Sequence, residues 1–145
     1  MTVFVDTGVF YAHHDEDAER HDAAVAAFDA VLDGEYGQPY TSDYILDETV
    51  TLTRVRTGSF DAADTVARRI LGDNPFPEVF TVLNVGASHR AETVTTFRQF
   101  DDHDLSFTDA ATVALCEAHW IESVLSFDDD FDGLVDRTVP GASDR

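Results

Sequence analysis

Lysine is absent from this sequence of 145 residues, and all nine basic residues are arginine. Aspartate and glutamate together number 29, and the formal net charge is −20. The mutual repulsion of so many carboxylates is screened in molar salt, where the Debye length is about 3 Å. We therefore interpret the charge as a halophilic adaptation to a high-salt cytoplasm. In such a chain, the scarcity of basic residues says nothing about whether the ligand is a nucleic acid.

Cysteine occurs once, at Cys116, which rules out an internal disulfide and a metal site built from several thiolates. The six histidines are scattered and form no helical His-x-x-x-His pair of the kind that binds zinc. No apolar stretch approaches the roughly 20 residues that span a bilayer, and the N-terminus has no basic region followed by a long apolar segment. We therefore expect a cytoplasmic protein that does not associate with membranes.

What the sequence does contain is enough apolar material for a core, since hydrophobic residues make up 43% of it. We expect one domain over residues 1–140 and a short C-terminal tail over residues 141–145. Short apolar runs alternate with segments of helical periodicity, and no internal repeat or linker interrupts them. This alternation predicts an α/β protein, a three-layer α/β/α sandwich with a mostly parallel central sheet.

The apolar runs and the turn residues between them give the expected elements. Strands are predicted at residues 2–5, 38–41, 79–83, 123–126 and 137–139, the last of these at a sheet edge. Helices are predicted at residues 15–33, from a cap at Ser42 or Asp43 to Gly58, at residues 61–71, at residues 87–100, and after an N-cap at Thr108. The helix over residues 87–100 is expected to bury Ala91, Val94 and Phe97.

Three aspartates stand where a carboxylate is hard to justify by structure alone. Asp6 follows the first predicted strand, Asp128 follows the strand at residues 123–126, and Asp109 lies in the first turn of a helix. Ligands of open parallel sheets bind outside the carboxyl ends of the strands, so all three are expected at one edge. Asp109 also suits a helix N-terminus, and Asp128 also suits a turn, so both retain a purely structural interpretation.

A fourth carboxylate is selected by helix phase. Glu48 lies one turn after Ile45 and one turn before Leu52, so it points towards the sheet, with Asp47 as its near competitor. Four carboxylates at one site disfavour one another's ionised forms unless a cation neutralises them. Oxygen ligands suit Mg²⁺ or Mn²⁺, and Mg²⁺ keeps waters that leave room for a phosphate. The residues therefore predict a metal-dependent phosphodiesterase.

Four motifs in order carry a family resemblance. They are Val5-Asp6-Thr7, Asp47-Glu48, Ser106-Phe107-Thr108-Asp109-Ala110 and Ser126-Phe127-Asp128-Asp129-Asp130-Phe131. This set resembles the PIN-domain nucleases, and within them the VapC-type toxins of toxin–antitoxin pairs, over nearly the whole chain. The composition is similar to that of haloarchaeal proteins.

The resemblance implies Mg²⁺- or Mn²⁺-dependent cleavage of RNA, a homodimer, and inhibition by a small VapB-like antitoxin. It implies a metal site formed by Asp6, Glu48, Asp109 and Asp128, with Asp130 as an auxiliary ligand. Thr7 is expected to orient Asp6 or a metal-bound water. Two positions depart from the family pattern: Gly8 replaces a common hydroxyl residue, and Ser126 replaces the more usual threonine but keeps the hydroxyl.

Four arginines are the candidates for contacts to the RNA. Arg54, Arg56, Arg68 and Arg69 flank the Glu48 helix and are the candidates for phosphate contacts, although they could equally pair with surface acids. A housekeeping RNA-processing nuclease and a non-catalytic PIN-fold binding module remain alternatives to the toxin. A receiver domain is excluded by the lack of lysine, and a haloacid-dehalogenase-type phosphatase by the lack of a second aspartate after Asp6-Thr7.

Overall fold

The computed structural model describes residues 1–141. Five strands lie at Thr2–Val5 (β1), Gln38–Ser42 (β2), Thr81–Leu83 (β3), Ser123–Leu125 (β4) and Arg137–Thr138 (β5). Six helices lie at Thr7–His14 (α1), His21–Leu32 (α2), Asp43–Thr57 (α3), Phe60–Leu71 (α4), Ala87–Gln99 (α5) and Phe107–His119 (α6), and a 3₁₀ turn follows at Asp129–Phe131. Residues 142–145 of the expected tail lie outside the described residues.

The five strands form one parallel sheet in the order β3-β2-β1-β4-β5. The predicted α/β sandwich with a mostly parallel sheet is therefore confirmed, and β5 lies at the edge as expected. The chain builds β2 and β3 on one side of β1 and then crosses over to place β4 and β5 on the other. Strand order thus reverses at β1, and in open parallel sheets the crevice beside such a reversal is where ligands bind.

The core lies between the central strands and the helices that cover them. The three inner residues of β1 are fully buried, namely Val3, Phe4 and Val5. Phe10 of α1, Phe28 of α2 and Phe80 pack edge to face, with ring centroids 5.1–6.2 Å apart. Each such aromatic pair stabilises the fold by about 0.5–1.5 kcal/mol beyond the stabilisation that comes from burying its apolar area. The core thus packs around the buried strand β1, and Asp6 follows that strand directly.

Helix α1 was not predicted from the sequence. Its eight residues, Thr7–His14, begin with β-branched, glycine and aromatic side chains, which have low helix propensity. Most of them are buried, so no alternation of polar and apolar faces marks the helix. Tertiary packing against the sheet and against α2 therefore determines this element, and α1 starts directly after Asp6.

The helix expected over residues 15–33 is shorter than predicted, because α2 begins only at His21. The carboxylate of Asp15 accepts hydrogen bonds from the backbone N–H of Asp17 at 3.0 Å and from the Tyr11 hydroxyl at 2.7 Å. These bonds hold the segment before α2 as a series of turns, as aspartate side chains often do. The loop that results carries Arg20.

Two capping predictions have different outcomes. Helix α3 begins after Ser42, whose side chain accepts a hydrogen bond from Ile45 N–H, and it ends at Gly58 with φ 66° as predicted. The predicted N-cap at Thr108 is wrong, since α6 is capped two residues earlier by Ser106. Ser106 and Asp109 bond each other's backbone N–H groups, a reciprocal pair that Thr108 cannot form at that spacing.

The predicted buried stripe of α5 is also wrong. Ala91 is exposed and Phe97 is 42% exposed, whereas Thr93 and Thr96 are buried. Thr93 satisfies its hydroxyl by donating to His89 C=O at 2.9 Å, which leaves its methyl group to pack. No helix in the described part of the chain is long and apolar enough to cross a membrane.

Candidate active site

A cavity of about 620 Å³ opens beside β1 and β4, at the carboxyl edge of the sheet. All four predicted carboxylates line it, and each comes from a different part of the fold. Asp6 follows β1, Glu48 lies on α3, Asp109 lies in the first turn of α6, and Asp128 follows β4. Thr7 and Ser126, the two predicted supporting residues, line the same cavity. The fold therefore brings these six side chains together.

Asp6 is the most buried of the four carboxylates, and its pKa is raised from 3.8 to about 7. The largest cause is burial, which penalises the ionised form, and the charges of Asp109 and Glu48 raise the pKa further. A hydrogen bond of 2.6 Å, donated by Ser126 Oγ to Asp6 Oδ2, acts in the opposite direction. Ser126 Oγ also accepts a hydrogen bond from Asp128 N–H at 3.0 Å, so it ties the ends of β1 and β4 together.

Glu48 is held by Thr7 across the groove between α1 and α3. Thr7 Oγ1 donates a hydrogen bond of 2.6 Å to Glu48 Oε1. The hydroxyl that was expected to orient Asp6 or a water therefore orients Glu48 instead. Asp47, the competitor of Glu48, is exposed and does not line the cavity, so the helix phase selects Glu48.

Asp109 caps its own helix and also faces the cavity. Its Oδ2 accepts a hydrogen bond from Ser106 N–H at 3.1 Å, which by itself would lower the pKa of the carboxyl group. The pKa is nevertheless raised, because burial outweighs the bond and the charges of Asp128 and Glu48 add to the effect. An N-terminal cap exposed to water would not show this shift. Asp109 therefore belongs electrostatically to the acidic group.

Asp128 Oδ1 accepts a hydrogen bond from Asp130 N–H at 2.9 Å and so starts the 3₁₀ turn. Within residues 1–141, Asp128, Asp129 and Asp130 are the one acidic trio whose ligand oxygens lie within 4.8 Å of one another. The charge of Asp128 is the main reason that the pKa of Asp130 is raised. Asp130 does not itself line the cavity, whereas Asp129 does. The four main carboxylates are thus farther apart than this trio.

Arg20 is the one basic side chain among the described residues that line the cavity, and sequence reasoning missed it. Its guanidinium lies over the ring of Phe127, 4.9 Å from the centroid. No pattern in the sequence marks Arg20, because it stands in an acidic segment that was predicted to be helix. The arrangement as a whole offers oxygen ligands for a hard cation and one guanidinium at the rim.

The four arginines considered from the sequence occupy different places. Arg56 lies over the ring of Tyr11, 4.8 Å from its centroid, beside the acidic cavity. Arg68 pairs with Asp64 one turn earlier on α4. Arg54 Nη1 donates a hydrogen bond of 3.4 Å to Gly58 C=O. Arg69 lies over the ring of Phe76 in a separate apolar cavity.

The fold is similar to that of three solved structures. VapC20 of Mycobacterium tuberculosis, a toxin that cleaves the sarcin–ricin loop, is 28% identical, with a TM-score of 0.75 over 89% of this chain and 92% of that one. VapBC2 from Rickettsia felis, bound to a DNA fragment from their promoter, is 9% identical, with a TM-score of 0.68 over 95% and 98% of the two chains. FitAcB from Neisseria gonorrhoeae is 15% identical, with a TM-score of 0.67 over 95% and 97%. The last two likenesses show the fold alone.

A search of curated proteins gives no match to the sequence. A sequence profile of the PIN domain, in contrast, matches residues 3–135. The matched region contains the four predicted carboxylates, the whole of β2, β3 and β4, and all of β1 except its first residue. The chain therefore belongs to the PIN domain family, as its four motifs predicted.

Proposed function

We propose that this protein is a metal-dependent endoribonuclease, the toxin of a VapBC-type toxin–antitoxin pair. The observation that carries the proposal is the convergence of Asp6, Glu48, Asp109 and Asp128 in one cavity where strand order reverses. A structural role does not require a buried carboxylate with a pKa near 7 beside two more carboxylates. Such perturbed groups in a cleft are typical of functional sites.

The donor set fits Mg²⁺ or Mn²⁺. Apart from Arg20, the charged and polar side chains that line the cavity offer oxygen ligands, and no described histidine or cysteine lies among them. In this proposal Asp6, Glu48, Asp109 and Asp128 hold the metal, and Asp130 is an auxiliary ligand. The spread of the four carboxylates suits a cation that keeps part of its water shell.

The metal, when bound, supplies an activated water at neutral pH and stabilises the charge that develops on the phosphodiester. The chain's own residues set the geometry. Ser126 fixes Asp6, and Thr7 fixes Glu48, each through a hydrogen bond of 2.6 Å. The backbone of Ser106 fixes one oxygen of Asp109. Each ligand is therefore held by a neighbour, which is the arrangement that a precise metal site needs.

The likeness to VapC20 over most of both chains supports RNA as the substrate and the toxin as the biological role. A VapB-like antitoxin and a homodimer belong to the same proposal. For the homodimer, an aromatic patch of Tyr44, Phe97 and Phe107 on α3, α5 and α6 offers a contact surface, since Phe97 and Phe107 are 42% and 38% exposed. We also propose that residues 1–140 act as one domain in a high-salt cytoplasm. A housekeeping RNA-processing nuclease and a non-catalytic PIN module are the alternatives.

Cleavage of a labelled RNA stem-loop in molar KCl tests this function. The wild-type protein is expected to cleave with Mn²⁺ or Mg²⁺ and to stop when EDTA is added. Asp6→Asn is expected to abolish cleavage, whereas Asp17→Asn, which removes the same charge from an exposed loop, is expected to retain it. Undiminished cleavage by Asp6→Asn would refute the mechanism. An intact fold that binds Mn²⁺ and RNA but never cleaves would favour the non-catalytic module.

A further inference from the structure

A second cavity of about 420 Å³ adjoins the acidic one. The two share four lining residues: Gly8, Arg20, Leu52 and Phe127. The second cavity extends past Tyr11 and Arg56, between the Asp15–Arg20 loop and α3. We name the combined depression the α1–α3 groove. It is a continuous path from the four carboxylates to the surface.

Each arginine of the α1–α3 groove lies on an aromatic ring. The Arg20 guanidinium is 4.9 Å from the centroid of Phe127, and the Arg56 guanidinium is 4.8 Å from the centroid of Tyr11. Tyr11 is fixed in turn, because its hydroxyl donates to Asp15 Oδ2 at 2.7 Å. A guanidinium placed over a ring still has N–H groups at its edge that can donate. Arg56 uses part of this capacity in a hydrogen bond with the Tyr11 side chain. Both arginines are exposed, so these donors are accessible from the groove.

Neither arginine forms an ion pair with a carboxylate of residues 1–141. Other arginines of this acidic chain do form such pairs, Arg68 with Asp64 and Arg137 with Asp132. The groove even contains the carboxylates of Asp15 and Glu19 among its lining residues. The cationic edges of Arg20 and Arg56 are therefore available to an anion from outside the chain.

The position of the two arginines relative to the four carboxylates indicates which kind of anion they bind. A strand whose reacting phosphodiester lies at the four carboxylates must place its neighbouring phosphates within the next several ångströms. Arg20 borders both cavities, and Arg56 lies only in the outer one, so the positive charge follows one direction away from the site. Planar guanidinium groups bind phosphate oxygens in bidentate fashion. Contacts of this kind to the sugar–phosphate backbone position a strand without reading its bases.

We propose that Arg20 and Arg56, supported by Phe127 and Tyr11, form a phosphate-binding strip that guides the RNA backbone along the α1–α3 groove to the acidic site. This inference rests on the proposed function, whose substrate contacts it specifies. Gly8 is consistent with this proposal, because it lies where the two cavities meet and has no side chain to narrow the groove there. Of the four arginines considered from the sequence, only Arg56 lines the groove and belongs to this strip. The other three, Arg54, Arg68 and Arg69, do not line it.

Binding and cleavage of one labelled RNA stem-loop test the strip. Affinity is measured by fluorescence anisotropy in EDTA, so that cleavage does not interfere, over a series of KCl concentrations. The double substitution Arg20→Gln and Arg56→Gln is expected to weaken binding at least about tenfold and to lower the slope of log affinity against log salt by about 1.4, since each single-strand phosphate contact contributes about 0.7. Arg54→Gln combined with Arg68→Gln is the matched control, since it also removes two exposed positive charges and neither residue lines the groove.

Two further measurements separate the possible results. With Mn²⁺, the double variant is expected to lose RNA cleavage mainly through a higher KM, whereas the control variant is expected to keep the wild-type KM and kcat. Equal RNA affinity and equal salt slope in the wild type and the double variant would overturn the proposed strip. If no protein cleaves RNA but the affinity difference persists, the nuclease proposal fails and the strip stands. Unchanged circular dichroism verifies that the variants fold.

Discussion

The raised pKa of Asp6 predicts that the proposed metal site destabilises the fold when no metal is bound. The folded pKa of about 7 lies above the unfolded value of 3.8. The contribution of this group to stability is therefore fully present below about pH 4, falls as the pH rises, and is lost above about pH 7. A shift of this size corresponds to about 4 kcal/mol as an upper limit, at 1.36 kcal/mol per pH unit. At pH 8 the ionised carboxylate is thus a destabilising group.

Asp6→Asn removes that charge and keeps an oxygen that can accept the hydrogen bond from Ser126. In EDTA at about pH 8, we expect the variant to be more stable than wild type by up to about 4 kcal/mol. At about 2–4 °C per kcal/mol, the unfolding midpoint would rise by up to about 8–16 °C. The uncharged amide also removes the repulsion from the charges of Asp109 and Glu48, which is part of the same effect. Asp17→Asn, exposed in the loop before α2, removes the same unit of charge and is expected to change the midpoint little.

The assay is thermal unfolding followed by circular dichroism at constant molar KCl, from about pH 5 to about pH 8.5. The gap between Asp6→Asn and wild type is expected to widen with pH up to about 7 and to stay constant above it. Addition of Mn²⁺ is expected to stabilise the wild type, because a ligand that binds only the folded state raises stability, and to leave the variant unchanged. A variant that is less stable than wild type at every pH, with a gap independent of pH, would refute the reasoning.

Three other predictions concern the site, the surface and the assembly. Ser126→Ala removes the hydrogen bond that lowers the pKa of Asp6, so Mn²⁺ affinity at about pH 7, measured by calorimetry, is expected to fall; an unchanged affinity would contradict this. Lowering the salt from molar to about 0.1 M, where the Debye length is about 10 Å, is expected to lower the thermal midpoint, and a constant midpoint would contradict the halophilic interpretation. Light scattering in high salt is expected to show a dimer that Phe97→Asp disrupts; a monomer at all concentrations would argue against it.

The sequence predicted the sheet well because its signals there are local. β1 and β4 are short apolar runs that each end near an aspartate, and α3 carries both a serine cap and a terminal glycine. Helix α1 and the buried face of α5 were not predictable in this way. In α1 the apolar residues surround the helix, and in α5 the buried Thr93 and Thr96 are polar by residue type. Both elements are determined by what they pack against.

The candidate site shows the same division between local and long-range information. Its carboxylates were found because strand ends and helix phase place them, and these depend on a few neighbouring residues. The supporting contacts were not found, because they join distant parts of the chain. Thr7 and Glu48 are 41 positions apart, and Arg20 reaches the ring of Phe127 across more than a hundred residues. Residue spacing alone carries no signal for such pairs.

The structural and functional interpretations of Asp109 and Asp128 are compatible, although the sequence posed them as alternatives. Asp109 uses Oδ2 to accept the hydrogen bond from Ser106 N–H, and Asp128 uses Oδ1 to accept that from Asp130 N–H. Each carboxylate thereby has one oxygen fixed by the backbone, which also fixes the direction of the other oxygen. A metal ligand held in this way loses little side-chain freedom on binding. The caps that begin the helix and the turn are therefore also the supports of the proposed metal site.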